Sequence, residues 1–259
     1  MAKVLVALMS ADKPAYVARR TACLETWAGK GLPGYVTMSV WTGKTLESSD
    51  EYSETSARLK ALCRKALQVE GWDWLLKLDD DVVVFWPSAH LPPQGSAYHG
   101  SEVPGNGLSR EGQRYVAGAA MWLGRKAVEV LATEMQASWG IPDDHQTGEI
   151  LRKYNILPTY DLYHFIIRRP GQMEVSPFDS EMLIKRGIAL EVGSPENMRQ
   201  LYYDAVTKPP ESRKAIFDTS GKSQPKRGPA IFNPDLVPGY EQPAISRPHR
   251  DPGFRLYQR

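Results

Sequence analysis

The stretch Trp74–Trp86 reads WLLKLDDDVVVFW, and it sets three consecutive carboxylates, Asp79, Asp80 and Asp81, between two apolar tracts. The first tract has the length and composition of a buried β-strand, so the triplet is predicted to stand at the carboxyl end of that strand. In open α/β sheets, ligands bind beyond the carboxyl ends of the strands. The position of the triplet therefore indicates a binding site.

Strand-like and helical patterns alternate on both sides of this stretch, which predicts an α/β sheet with crossover helices. The other predicted strands are KVLVALM near the start, YVTMSVW at residues 35–41 and RYVAGAAMWL at residues 114–123. Helical spacing is found at residues 15–27 and 53–69, and helices are also predicted at about residues 125–137 and from Pro142 onward.

The end of the chain differs from the rest in composition. From residue 206 it holds nine of the twenty prolines, and residues 208–259 carry ten Lys and Arg against five Asp and Glu. We therefore predict an α/β domain over residues 1–205 and a basic, Pro-rich extension over residues 206–259.

Cysteine usage and the N-terminus bear on the class of protein. The two cysteines, Cys23 and Cys63, have no metal-ligand spacing and are predicted to be buried thiols, which excludes a disulfide framework. The first apolar run, in MAKVLVALMS, is too short for a membrane span and is predicted to be a strand. These features predict a protein without a membrane partner, located in the cytoplasm.

The Asp triplet needs a source of positive charge, because adjacent carboxylates repel one another and resist burial. Lys77 is too close in sequence to neutralise all three. A divalent cation is the better answer, since hard cations take carboxylate oxygens and commonly bridge to a substrate phosphate. Alternation along an extended segment would direct Asp79 and Asp81 to one site and Asp80 elsewhere. A solvated acidic turn between strands is the alternative.

Four stretches, taken in order, resemble the fringe and β-1,3-galactosyltransferase group of glycosyltransferases, as in a soluble bacterial or viral member. They are RRTACLETW, WLLKLDDDVVV, RYVAGAAMWLGRKAVEVL and PDDHQTGEIL. The resemblance implies a GT-A-like fold, in which a nucleotide-binding mixed sheet is flanked by helices. It also implies a nucleotide-sugar donor, UDP-linked, and a divalent cation, Mn²⁺ or Mg²⁺.

The resemblance also implies residue roles. Asp81 would bind the cation directly, Asp79 would hold the cation or the ribose, and His164 would complete the metal site; His145 is the competing candidate. Asp79, Asp80, Arg20 and Gly118 would contribute to binding the nucleotide-sugar, although Asp80 is structural if the alternation holds.

Asp144 would be the catalytic base for an inverting transfer of the sugar to an acceptor hydroxyl, with Asp143 beside it. Two acids at the start of a helix are also a common cap, and the two roles are compatible.

Two acceptor classes stay open at this point. One is a glycan or small glycoside, and the other is a hydroxymethylated base of viral DNA, which the basic extension would contact through phosphates. A non-catalytic module that binds a metal and a nucleotide is a further alternative.

Overall fold

We describe residues 2–29, 32–51, 54–86, 91–104, 114–136, 142–161, 164–165, 187–190 and 192–207 of a computed structural model of the protein. Their nine strands are β1 (Val4–Met9), β2 (Val36–Trp41), β3 (Trp74–Asp79), β4 (Val83–Val84), β5 (Tyr98–Pro104), β6 (Arg114–Gly124), β7 (Thr159–Asp161), β8 (His164–Phe165) and β9 (Ile188–Leu190). Their five α-helices are α1 (Pro14–Glu25), α2 (Thr55–Leu67), α3 (Arg125–Glu134), α4 (Asp143–Lys153) and α5 (Pro195–Thr207).

Six of these strands form a mixed sheet in the order β2-β1-β3-β6-β5-β7. Strands β1, β2 and β3 are parallel, β6 runs antiparallel to both β3 and β5, and β7 is parallel to β5. A second, three-stranded sheet has the order β4-β9-β8. The predicted α/β class, with a mixed sheet flanked by helices, is confirmed.

The apolar side chains of β1 alternate between the two faces of the sheet, and each face buries a separate core. Val4, Val6 and Leu8 pack with residues of α1 and α5, whereas Leu5 and Ala7 pack with residues of α2, α3 and α4. Fully burying a Leu or Val side chain is worth roughly 1.5–3 kcal/mol relative to leaving it exposed. Helices on both faces therefore hold the central strands, and the carboxyl end of β3, in a fixed place.

Both cysteines are buried and unpaired, as predicted: Cys23 lies in the core under α1, and Cys63 lies in the core under α2. No helix among the described residues is long and apolar enough to cross a membrane. Nearly all of the predicted C-terminal extension, from residue 208, lies outside the described residues, so its boundary and its DNA contact remain predictions.

Candidate active site

The Asp triplet stands at the carboxyl edge of the parallel strands. Met9, the last residue of β1, is in register with Asp79, the last residue of β3. The residues that follow each strand also meet, because the Ser10 hydroxyl donates a 2.7 Å hydrogen bond to Asp80 Oδ2. The position predicted from the sequence is therefore the observed one.

The backbone after β3 is a turn at Asp80 and Asp81, not the extended segment that the alternation prediction assumed. Helix α1 and the turn that follows it hold this segment in place: the Trp27 indole N–H donates to Val82 O at 2.9 Å, and the Cys23 thiol of α1 lies 3.4 Å from Asp80 O. On the other side, the Val192 N–H donates to Asp81 O at 2.8 Å. These contacts fix the backbone of the turn, and the fixed backbone sets the directions of the Asp80 and Asp81 side chains.

Asp80 points into the protein and is only 3% exposed. Besides the Ser10 hydroxyl, it meets Arg19, whose Nε lies 2.8 Å from Asp80 Oδ1. Burial raises the pKa of Asp80 to about 7, although Arg19 and Ser10 both act to lower it. Since both of its oxygens have protein partners, this placement favours a structural role over contact with a nucleotide.

The two neighbouring arginines of α1 have different partners. Arg20, which the resemblance selects, contacts Asp12 Oδ1 at 3.2 Å and the carbonyl of Ala11. Arg19 instead reaches the triplet, with Nη1 at 3.9 Å from Asp81 Oδ2. Sequence reasoning gave no reason to prefer Arg19, because its partner Asp80 was expected to lie elsewhere.

Asp79 and Asp81 are the carboxylates of the triplet that reach solvent, with 43% and 22% of their side chains exposed. Burial, followed by repulsion from Asp79, raises the pKa of Asp81 to about 6. Two interacting carboxylates at an open edge suit a hard divalent cation, which is commonly held by one or two carboxylates together with substrate phosphates. These residues therefore fit the cation that the resemblance implies.

A third protein ligand is not found among the residues that the structure describes, which contain no group of three His, Cys, Asp or Glu side chains suited to a metal. His145, the competing candidate, packs edge-on against the Tyr115 ring, with its Nε2 at 3.8 Å from Glu149. The backbone of His164 pairs with Ala189 of β9, which in turn pairs with Val83 of β4. The side chain of His164 lies outside the description, so its role as a ligand remains a prediction.

Gly118 lies in an irregular part of β6 and gives both of its backbone groups to the site. Between the pairs Gly100–Met121 and Glu102–Val116, β6 advances three residues more than β5 does. There the Gly118 N–H donates to Asp144 Oδ2 at 3.2 Å, and Gly118 O accepts from Lys77 Nζ at 2.5 Å. A Cβ atom at this position would lie 3.4 Å from the Asp144 carboxylate, which is ordinary van der Waals contact.

Asp144 is a half-buried carboxylate in the first turn of α4. Burial, followed by the charge of Asp143, raises its pKa to about 7, while hydrogen bonds from the N–H groups of His145 (2.7 Å) and Gly118 act to lower it. A base with a pKa near neutrality is suited to take a proton at physiological pH. Gly148, one turn further along α4, keeps the helix against β6, because a side chain there would meet Tyr115 Cβ at 2.7 Å.

Lys77 connects the triplet to α4. It is 3% exposed, with Nζ at 2.6 Å from Asp79 Oδ1 and 3.6 Å from Asp143 Oδ2. Burial alone would lower the pKa of Lys77, but the carboxylates, Asp79 first, outweigh it and the pKa rises. A lone lysine in the apolar run WLLKLD is the signal that sequence reasoning could have used, because lysines are almost never fully buried without a partner.

Among the described residues, the site has more carboxylates than cations. The cations are Lys77 and Arg19, and the acids are Asp79, Asp80, Asp81, Asp143 and Asp144. Carboxylates that lie 64 residues apart in the sequence thus share one location at the carboxyl edge of the sheet. A bound cation would offset part of this negative charge.

The fold and the site define an α/β protein with an acidic site at the carboxyl edge of a mixed sheet. No family model and no curated protein matches the chain. Among solved structures, the chain is similar to a glycosyltransferase involved in the glycosylation of the major capsid of PBCV-1, at 16% identity and a TM-score of 0.49, covering 77% of this chain and 98% of that one. It is also similar to A197 from STIV, at 12% identity and a TM-score of 0.37, covering 64% and 86%. We base the proposed function on the residues of the site.

Proposed function

We propose that the protein is a metal-dependent, inverting glycosyltransferase that moves a sugar from a nucleotide-sugar to an acceptor hydroxyl. One observation carries this proposal: two groups of carboxylates meet at one edge of the sheet. Asp79 and Asp81 reach solvent there, and Asp144, whose pKa is raised to about 7, is linked to them through Gly118 and Lys77. Metal-dependent, inverting sugar transfer uses both a cation-binding site and a base.

The base in this proposal is Asp144. Its two backbone hydrogen bonds, from Gly118 and His145, fix the direction of the carboxylate, and its raised pKa makes it a stronger base than an ordinary Asp. It would accept the proton of the acceptor hydroxyl as that oxygen attacks the sugar.

Asp79 and Asp81 would hold the divalent cation, Mn²⁺ or Mg²⁺, and His164 is the predicted third ligand. When bound, the cation would neutralise charge on the departing diphosphate. Arg19, held by Asp80 with its guanidinium beside Asp81, adds a fixed positive charge on the same side. A UDP-linked donor and an acceptor that is a glycan or a hydroxymethylated DNA base complete the proposal.

A panel of nucleotide-sugars tests the proposal directly. Purified protein is incubated with each donor and Mn²⁺, and release of the nucleoside diphosphate is measured with and without EDTA. We expect one donor to be hydrolysed slowly without an acceptor and EDTA to abolish the reaction. If no donor is hydrolysed, with or without glycan and hydroxymethylated DNA acceptors, the proposed glycosyltransferase activity is wrong. Full activity in EDTA would contradict the proposed metal dependence.

The pH dependence of transfer follows from the pKa of Asp144, which is raised to about 7. The active form of a base is the carboxylate, so kcat/KM should be constant above pH 7 and fall about tenfold per unit as pH drops below it. The profile is measured from pH 5 to 9 with saturating Mn²⁺, which keeps the metal site occupied. A profile that stays flat down to pH 5 would show that Asp144 is not the base.

A further inference from the structure

Lys77 is the most deeply buried cation of the site, and its surroundings are apolar apart from a few oxygens. It lies in the middle of β3 between Leu76 and Leu78, both fully buried. An ammonium group in such a place is costly unless its protons find acceptors. Its contacts therefore indicate what it does.

Those contacts belong to three different elements. Lys77 Nζ meets Asp79 Oδ1 at the end of β3, Gly118 O in the irregular part of β6, and Asp143 Oδ2 at the start of α4. The contacts with Asp79 and Gly118 are hydrogen bonds, and the contact with Asp143, at 3.6 Å, is an ion pair.

We propose that Lys77 is a positioning residue that ties Asp79 to the first turn of α4 and so sets the distance between the cation-binding carboxylates and Asp144. The roles of cation ligand and base rest on the proposed function, whereas the contacts of Lys77 with Asp79 and α4 do not. Preorganisation of this kind matters because a displacement of about 1 Å between reacting groups can cost about 10²-fold in rate.

The charge of Lys77 separates positioning from simple neutralisation of the site. A cation bound by Asp79 and Asp81 is repelled by the ammonium, so removing Lys77 should strengthen cation binding electrostatically. Removing a tie should at the same time weaken transfer, because α4 and Asp144 lose their fixed place. Opposite changes in metal affinity and in kcat are therefore the mark of a positioning role.

The test compares Lys77→Met, an unbranched apolar side chain one atom shorter than Lys, with Lys60→Met. Lys60 is a suitable control because its Nζ bonds Thr133 O on the outside of α2 and α3. Hydrogen exchange is measured without metal at the amides of residues 146–151 in α4 and of residues 75–78 in β3. Mn²⁺ affinity, kcat and KM for the donor are measured in parallel.

For Lys77→Met we expect exchange in α4 to accelerate by about tenfold relative to β3. Mn²⁺ affinity should be equal or a few-fold tighter, and kcat should fall by about 10²-fold with KM changed less than threefold. Lys60→Met should change none of these. Equal acceleration in α4 and β3, or unchanged exchange in α4, would overturn the proposal, as would a parallel loss of metal affinity and kcat.

A second variant covers the case in which Lys77→Met fails to fold. Asp143→Asn leaves Lys77 paired with Asp79 but weakens its contact with α4, so exchange in α4 should again accelerate while β3 is unchanged. Unchanged exchange in that variant would overturn the proposal. If wild-type protein transfers no sugar, the proposed function fails, yet the exchange measurements still decide whether Lys77 ties β3 to α4.

Discussion

The Asp144→Asn variant is expected to lose sugar transfer while keeping its affinity for the nucleotide-sugar. An amide cannot take the proton of the acceptor hydroxyl, and loss of a general base typically costs about 10²–10⁴-fold in rate. The fold should survive with some loss of stability, because the single Asn oxygen can still accept from one of the two backbone N–H groups, Gly118 or His145, while its NH2 group faces the other. The measurement pairs kcat with donor affinity determined by calorimetry.

Glu149→Gln is the matched control for this variant. Glu149 lies on the same helix, its side chain is 41% exposed, and its nearest described partner is His145. It should keep near-normal transfer. A loss of transfer in both variants would point to damage to α4, and normal transfer in Asp144→Asn would remove Asp144 from the mechanism. Wild-type protein that binds the donor and metal but transfers nothing would instead be a binding module.

The parts of the fold that the sequence predicted are those whose patterns are local. The helix over Thr55–Leu67 buries one apolar face, and the strand that ends at Asp79 buries a run of apolar side chains. Both patterns can be recognised within a few residues of sequence. The placement of the Asp triplet at the carboxyl edge follows from that strand and from the general rule for open sheets.

The strands that were missed have weak local signals. Strand β5 reads YHGSEVP and contains a Gly, a Pro and two charged or polar groups in succession, so its extended form depends on pairing with β6 and β7. Strands β7, β8 and β9 have two or three residues each, too few to show a period. Tertiary pairing, which the sequence does not display, decides them.

The candidate site shows the same division. Residue type and the family resemblance select Asp79 and Asp144 as functional candidates. Their link through Lys77, however, depends on the irregular part of β6, which brings the Gly118 carbonyl to the Lys77 ammonium. Likewise, Arg19 rather than Arg20 reaches Asp81 because the turn after β3 directs Asp80 toward α1. A one-dimensional pattern does not determine which of two adjacent arginines faces a turn 60 residues away.

Replacing Asp81 with Asn is expected to abolish metal-dependent transfer and to raise stability. Loss of a carboxylate ligand should weaken Mn²⁺ binding by about 10²-fold or more, since even partners that only support a ligand cost 10–100-fold. The folded protein holds the pKa of Asp81 at about 6, against a usual 3.8, because burial and Asp79 disfavour its charge. Ionised Asp81 therefore destabilises the metal-free fold by roughly 3 kcal/mol, and an uncharged Asn removes that cost.

The gain in stability should depend on pH in a defined direction. Below about pH 4, Asp81 is protonated in both the folded and the unfolded states, so the variant gains nothing; the gain grows as pH rises and is complete above about pH 6. At pH 8 without metal we expect Tm to rise by roughly 6 °C, and saturating Mn²⁺ should stabilise only the wild type. Asp73→Asn, at the opposite end of the same strand, is the control and should change neither property. A variant less stable than wild type at pH 8 would mean that Asp81 is a structural carboxylate, since functional charges held near one another typically lower stability.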